Sequence, residues 1–173
     1  MLAVNDKISA RVALVEEHLF LENNHKIEEL VQTFGEDGAL EDRALGMDFV
    51  RHPNIKAYYD DLMRGVPDLH VEIRARYIAE DAIVAEGRAT GTHLGEWRGL
   101  PATGRTLDIP LCGVFTFDGA ERLAAERVYY DRALVLRQLG VFHDPDTPSG
   151  KVITMLTHPL TMAGIIRRQV LRR

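Results

Sequence analysis

Asp131 combines a residue type and a position that suggest acid–base chemistry. It ends the run Arg127–Asp131, where a predicted strand delivers its side chain to the start of a predicted helix. A carboxyl group enclosed by apolar walls has a raised pKa, because burial disfavours the charged form, and it can exchange a proton near neutral pH. This chemistry suits removal of a proton beside a carbonyl and requires no metal. Alternatively, Asp131 only caps the helix, since Asp readily accepts hydrogen bonds from a first helical turn.

His93 and Trp97 lie in the glycine-containing turn Gly91–Trp97. If this turn faces a pocket, His93 could hydrogen-bond a substrate carbonyl and Trp97 could stack on a planar ring. The alternative is that His93 fixes the turn and Trp97 packs at the edge of a sheet. The sequence leaves both alternatives open.

Four further side chains are candidates for contact with a small hydrophobic molecule. His52 and Tyr58 flank the start of the third predicted helix, and either can supply a polar contact, although Tyr58 also fits a core position. Phe115 and Tyr129 lie on the last two predicted strands, where they either line a pocket or fill it. A filled pocket would leave only a structural role.

The remaining histidines and the cysteine give no metal or nucleophile signal. Cys112, the only cysteine, lies in an apolar run and is interpreted as a small buried hydrophobic residue. Glu126 and Arg127 are expected to pair across neighbouring strands. The other histidines lack the i, i+4 pairing of a helical zinc site, so no ligand role is expected for His18, His25, His70, His143 and His158.

Hydrophobic periodicity predicts the elements that position these side chains. Helical spacing predicts two helices before residue 35, a third that begins at Pro53, and a short closing helix over Leu134–Leu139. Period-two alternation predicts the strands Leu69–Ala75, Ile83–Gly95, Arg105–Phe117 and Arg122–Tyr130, after a short strand at Ala39–Arg43. Helices first and strands later indicate an α+β fold, in which N-terminal helices pack on a curved, antiparallel or mixed sheet and enclose a pocket.

The distribution of charge divides the 173 residues into an acidic body and a basic end. We expect a domain over residues 1–143, followed by a linker and an amphipathic extension over 144–173 whose five basic residues have no acidic neighbour after position 150. The acidic body argues against nucleic acid as a partner. The extension is expected to pack on the domain or on a partner subunit, or to contact an anionic membrane surface weakly.

Neither a membrane span nor a secretion signal is predicted. The longest apolar stretches are far shorter than the roughly 20 residues of a spanning helix. The first residues lack the basic start and apolar block of a signal peptide. We therefore expect a cytoplasmic location.

Two segments carry a specific combination of motifs. GTHLGEWRGLPATGRTLDIP (Gly91–Pro110) and FTFDGAERLAAERVYYDRALVLRQLG (Phe115–Gly140) resemble the SnoaL-like polyketide or ester cyclases, and the resemblance extends over about residues 10–140. It implies the cone-shaped fold of nuclear transport factor 2, ketosteroid isomerases and limonene epoxide hydrolases. It also implies a reaction without cofactor, pairing of two chains through exposed sheet faces, and a general acid/base role for Asp131.

Three hypotheses follow for the function. The first is a cofactor-independent cyclase or isomerase that acts on a small hydrophobic, ketone-bearing molecule through Asp131. The second is a non-catalytic module that binds a lipid-like or polyketide-like ligand. The second is favoured by the strand Leu111–Phe117, which lacks the histidine common there in the family. The third is an assembly role through dimerisation.

Overall fold

A computed structural model describes residues 2–144, 146–161 and 168, in two compact units, Met1–Leu139 and Gly140–Arg173. The first unit contains four helices and six strands among its described residues. They are α1 (Leu2–Asn23), α2 (Ile27–Val31), β1 (Phe34–Asp42), β2 (Met47–Val50), α3 (His52–Gly65), β3 (His70–Ile78), β4 (Ala82–Thr92), β5 (Thr106–Phe117), β6 (Leu123–Tyr130) and α4 (Arg132–Gln138).

The six strands form one mixed sheet in the order β2-β1-β6-β5-β4-β3. Neighbouring strands are antiparallel except β1 and β6, which run parallel. The long β4–β5 ladder runs from Ala82 opposite Thr116 to Thr92 opposite Thr106. The α+β class predicted from the order of the elements is therefore confirmed.

One face of the curved sheet is covered by the helices. Leu19 of α1, Leu30 of α2 and Ile55 of α3 are buried in the same cluster as Val71 and Phe115 of the sheet. In β5 the inward residues alternate with outward ones, as the two-residue period of a strand requires. The alternation places every second residue of β5 against the helices and the others on the outer face.

The predicted elements match the structure closely, with two differences. β2, whose side chains are mainly exposed, was not predicted, because residues 47–50 have no buried alternation and Gly46, at φ +68°, indicates only a turn. β1 starts five residues before the predicted strand, and a bulge between Phe34 and Ala39 hides its alternation.

In the second unit, α5 spans Pro148–Thr157, and residues 159–161 are also helical. The Thr147 hydroxyl caps it by accepting a hydrogen bond from the Gly150 N–H at 3.0 Å. The segment expected to be a linker therefore already contains the first turn of a helix. Most of the predicted extension beyond residue 161 lies outside the described residues. In the described part of the chain, no helix is long and apolar enough to cross a membrane.

Candidate functional site

The helices and the inner face of the sheet enclose a mainly apolar cavity. Its volume is about 100 Å³, well above the roughly 10–15 Å³ that one water requires. Phe115 and Trp97 line the cavity without filling it. Most of the lining side chains come from α1, α3 and β3–β6, among them Leu19, Leu62, Val71, Ile109, Leu111 and Phe115.

Glu126 of β6 places a carboxyl group in this apolar wall. The residue is only 5% exposed. Its Oε2 accepts a hydrogen bond from the Tyr59 hydroxyl at 3.0 Å and lies 3.2 Å from His18 Nε2. Tyr59 belongs to α3 and His18 to α1, so two helices hold the same carboxyl group.

The hydrogen bonds of Thr33 identify the protonated nitrogen of His18. Thr33 Oγ1 donates to the Leu30 carbonyl at 2.7 Å and therefore accepts from His18 Nδ1 at 2.8 Å. Burial has the largest effect on the His18 pKa and lowers it. The charge and hydrogen bond of Glu126, with the charge of Glu22, outweigh burial, so the pKa is raised. Glu126 Oε2 thus stabilises a proton on His18 Nε2, 3.2 Å away.

Glu22 lies one helical turn after His18 on α1 and also lines the cavity. It is 8% exposed, and its carboxyl group has no hydrogen-bond partner among the described residues. Burial and, secondly, the charge of Glu126 raise its pKa to about 7, although His18 opposes the shift. Glu22 is therefore a buried acid that gains and loses a proton near neutral pH.

A third buried carboxyl group, that of Asp42, binds two of the tyrosines that line the cavity. Asp42, at the end of β1, accepts hydrogen bonds at Oδ2 from the hydroxyls of Tyr130 at 3.0 Å and Tyr58 at 3.3 Å. Its Oδ1 accepts from the Leu45 N–H at 2.9 Å. Burial and the charge of Asp42 raise the pKa of both tyrosines, so both hydroxyls stay protonated.

Asp131 does not face the cavity. Its side chain is 57% exposed, and its Oδ1 accepts hydrogen bonds from the N–H groups of Ala133 at 2.8 Å and Leu134 at 3.1 Å. Its Oδ2 lies 3.4 Å from Arg137. In the structure, Asp131 therefore caps α4, which was the alternative interpretation of its sequence position. The expectation that this carboxylate points into an apolar hollow is wrong, because the helix start holds it at the surface.

The turn after β4 caps α3, and this contact positions Trp97. The N–H groups of Leu94 and Gly95 both donate to the Gly65 carbonyl, at 2.9 and 3.1 Å. A Cβ atom at position 95 would overlap the Arg64 carbonyl oxygen, so the close approach requires glycine. As a result, Trp97 packs against Gly65 and lines the cavity.

His93 fixes the same turn and is not a lining residue of the cavity. It is fully buried, and its Nδ1 accepts a hydrogen bond from the Thr103 N–H at 3.2 Å. Burial lowers its pKa, and its Nε2 has no hydrogen-bond partner among the described residues. The structure therefore agrees with the alternative in which His93 holds the turn.

The other four candidate residues divide between the cavity and other surfaces. Tyr58 and Phe115 line the cavity. His52 lies outside it, with Nε2 3.1 Å from the Phe34 carbonyl oxygen. Tyr129 is exposed on the outer face of the sheet, because neighbours along a strand point to opposite sides. The homodimer expected from the resemblance stays a prediction.

His18, Glu22 and Glu126 were not assigned to the site from the sequence. Glu126 was expected to pair across strands, but only its neighbour Arg127 does so, with Glu41 at 2.8 Å. A signal for the other two exists on α1. His18 and Glu22 are four residues apart and share the helical face of Val15 and Leu19, which is buried.

The comparisons with known proteins agree with this architecture. The profile of the SnoaL-like polyketide cyclase family matches residues 10–139, which is most of the chain. No curated protein sequence matches significantly.

The solved structures that resemble this chain share its fold. A protein from Jannaschia sp. CCS1, assigned to the SnoaL-like polyketide cyclases, is 19% identical, with a TM-score of 0.68 over 76% of this chain and 92% of that one. A protein of ketosteroid isomerase-like fold from Catenulispora acidiphila DSM 44928, solved with trimethylamine, is 22% identical, with a TM-score of 0.63 over 74% and 92%. SalBIII, an epoxide hydrolase/cyclase-like enzyme in pyran ring formation in salinomycin, is 16% identical, with a TM-score of 0.59 over 69% and 89%.

Identities this low establish a common fold without a common reaction. The family profile goes further, because it covers residues 10–139 and therefore every residue that lines the cavity. The chain belongs to the SnoaL-like polyketide cyclase family.

Proposed function

We propose that the cavity binds a small hydrophobic, ketone-bearing molecule and that Glu22 transfers a proton on it, in a cofactor-independent cyclisation or isomerisation. The observation that carries the proposal is the Glu22 carboxyl group. It is buried, it lines an apolar cavity, and it has no hydrogen-bond partner among the described residues. A general acid or base works best when its pKa lies near the working pH, and the pKa of Glu22 is about 7.

The proposed step begins with Glu22 as carboxylate. It removes a proton from the carbon beside a ketone, and the C–H electron pair moves into the C=C bond of an enolate whose charge lies on oxygen. In a cyclisation, the enolate carbon forms a C–C bond to a second carbonyl of the same molecule. The resulting alkoxide takes the proton back from Glu22, which restores the carboxylate. In an isomerisation, the proton returns to a different carbon.

The pair of His18 and Glu126 supports this step without touching the reacting carbon. The charge of Glu126 raises the pKa of Glu22 and the charge of His18 lowers it, so the pair adjusts the basicity of Glu22. Tyr59 and Thr33 fix the two members of the pair through hydrogen bonds of 3.0 and 2.8 Å. We therefore treat His18 and Glu126 as positioning residues.

Deuterium exchange tests the proposal without knowledge of the natural substrate. The protein is incubated with 1-tetralone, an apolar ketone, in D2O, and deuterium at the carbon beside the carbonyl is measured by mass spectrometry. We expect exchange above the uncatalysed rate. We expect Glu22→Gln to reduce the catalysed rate by at least about a hundredfold, the lower range for a general base. Glu17→Gln, an exposed change on the same helix, is the matched control. Equal rates in the parent and Glu22→Gln would contradict the assignment.

Binding without chemistry is the second candidate, and the surface position of Asp131 favours it, because the residue expected to act as the acid/base does not reach the cavity. In that case 1-tetralone binds, but its exchange in the parent equals the uncatalysed rate. Mass spectrometry of molecules extracted from the purified protein would then identify the ligand directly.

A further inference from the structure

The three tyrosines that line the cavity among the described residues share one property. Each donates its hydroxyl proton to a carboxyl group inside the protein. Tyr58 and Tyr130 donate to Asp42, and Tyr59 donates to Glu126. A hydroxyl whose proton is used in this way can only accept a further hydrogen bond. At these three hydroxyls the cavity therefore offers acceptors to a ligand.

Asp42 fixes this arrangement for Tyr58 and Tyr130. It is fully buried, and the Leu45 N–H donates to its second oxygen at 2.9 Å, so three donors converge on one carboxylate. Turning either tyrosine proton towards a ligand would remove a hydrogen bond to this buried carboxylate. Hydrogen bonds to charged groups are stronger than those between neutral groups. The two hydroxyls thus keep their orientation when a ligand binds.

We propose that Asp42 is a positioning residue that fixes Tyr58 and Tyr130 as hydrogen-bond acceptors, so that the cavity selects molecules with a hydroxyl donor, such as a phenol or an enol. A carbonyl or ether oxygen turned towards these two tyrosines meets acceptor against acceptor, so the ketone of the proposed function faces away from them and a separate hydroxyl of the ligand faces them. The inference rests on the proposed function in one respect, since it requires that the cavity bind an apolar molecule. It adds the polar group by which that molecule is recognised.

Three naphthalene-based probes, of which only one carries a hydroxyl donor, test this selection. 2-Naphthol carries a hydroxyl, 2-methoxynaphthalene replaces its proton by a methyl group, and naphthalene lacks the oxygen. The two probes without a donor are larger and smaller than 2-naphthol, so an affinity that only rises or only falls with size cannot make 2-naphthol bind best. The tyrosine variants then distinguish a hydrogen bond from an optimum of size. We expect calorimetry to show 2-naphthol binding about tenfold more tightly than either, which corresponds to one net hydrogen bond.

Variants then locate the origin of the preference. Tyr130→Phe and Tyr58→Phe each remove one acceptor, so the preference should decrease while naphthalene binds as before. Asp42→Asn should act differently. Its amide N–H can donate to one tyrosine oxygen, which frees that tyrosine's proton to face the ligand. The affinity for 2-methoxynaphthalene should then rise relative to 2-naphthol, a result that loss of structure would not produce. Tyr77→Phe, on the outer face of the sheet, is the matched control.

The outcomes separate this inference from the proposed function. If all three probes bind equally, or if the tyrosine variants keep the full preference, the inference is wrong and the binding cavity remains. If none of the probes binds, the proposed function fails and the inference fails with it. Circular dichroism shows whether each variant is folded, and the conservative tyrosine variants still decide the question if Asp42→Asn does not fold.

Discussion

Replacing Glu22 by Gln should make the protein more stable at alkaline pH. The pKa of Glu22 rises from its ordinary value of 4.5 to about 7 on folding, because burial and the charge of Glu126 disfavour the carboxylate. Between these two values the folded state holds a proton that the unfolded state has released. Stability therefore falls as the pH rises from about 4.5 to about 7, since the unfolded state binds fewer protons.

The size of the effect follows from the two pKa values. Each pKa unit corresponds to about 1.4 kcal/mol, so the rise in the pKa of Glu22 corresponds to about 3 kcal/mol in the free energy of unfolding. The full contribution of Glu22 is present below pH 4.5 and is lost above pH 7. Gln keeps the shape of the side chain and does not ionise. The difference in free energy of unfolding between Glu22→Gln and the parent should therefore grow by about 3 kcal/mol from pH 4.5 to pH 8.

Urea unfolding at pH steps between 4.5 and 8.5 measures this difference directly. Titrations of groups that do not interact with Glu22 occur in both proteins and cancel when the curves are subtracted. The charge of Glu22 also raises the pKa of His18, so the His18 titration is followed by NMR in both proteins. Glu17→Gln, at an exposed position of α1, is the matched control for the loss of a carboxylate from this helix. If the curves of the parent and Glu22→Gln run parallel over the whole range, Glu22 does not have a raised pKa and the electrostatic argument for the site is wrong.

Three other changes have defined outcomes. Glu126→Gln removes the charge that raises the pKa of His18, so the ring, followed by NMR, should titrate at lower pH than in the parent; an unchanged titration would contradict the pairing. Asp131→Ala should lower the free energy of unfolding by about 1 kcal/mol through loss of the cap, without changing 1-tetralone binding; weaker binding would indicate that Asp131 reaches the cavity. Gly95→Ala should cost about 1–3 kcal/mol in urea unfolding, because its Cβ would overlap the Arg64 carbonyl; an unchanged midpoint would show that the turn can move.

Much of the fold could be predicted because its elements follow simple periods. The alternation of Leu69, Val71 and Ile73 predicts β3, and the long strands after it alternate in the same way. β2 could not be predicted, since a short and mostly exposed edge strand is stabilised by its pairing with β1 and not by a buried face. The partner of a strand is a long-range property that local periodicity does not contain.

The site was only partly predictable for a related reason. Tyr58, Trp97 and Phe115 were candidates from the sequence and do line the cavity, since large side chains at core-facing positions tend to line any internal space. In a sequence, a polar residue next to an apolar helical face is usually interpreted as the border between the buried and the exposed side of the helix. On α1, His18 and Glu22 lie among buried apolar residues, and the carboxyl group that His18 contacts belongs to Glu126, on a strand more than a hundred residues later.

The two buried carboxyl groups at Asp42 and Glu22 differ in a way that bears on function. Asp42 receives three hydrogen bonds, so its charge is balanced within the protein and a ligand has nothing to add. Glu22 receives none from the described residues, and above pH 7 its burial costs stability. A ligand with a polar group at Glu22 would offset that cost, whereas contact with the fully bonded, exposed Asp131 would offset nothing. At Glu22, therefore, the same contact with a ligand can contribute to binding and place the ligand for proton transfer. Glu22 is the first residue to substitute in an activity assay.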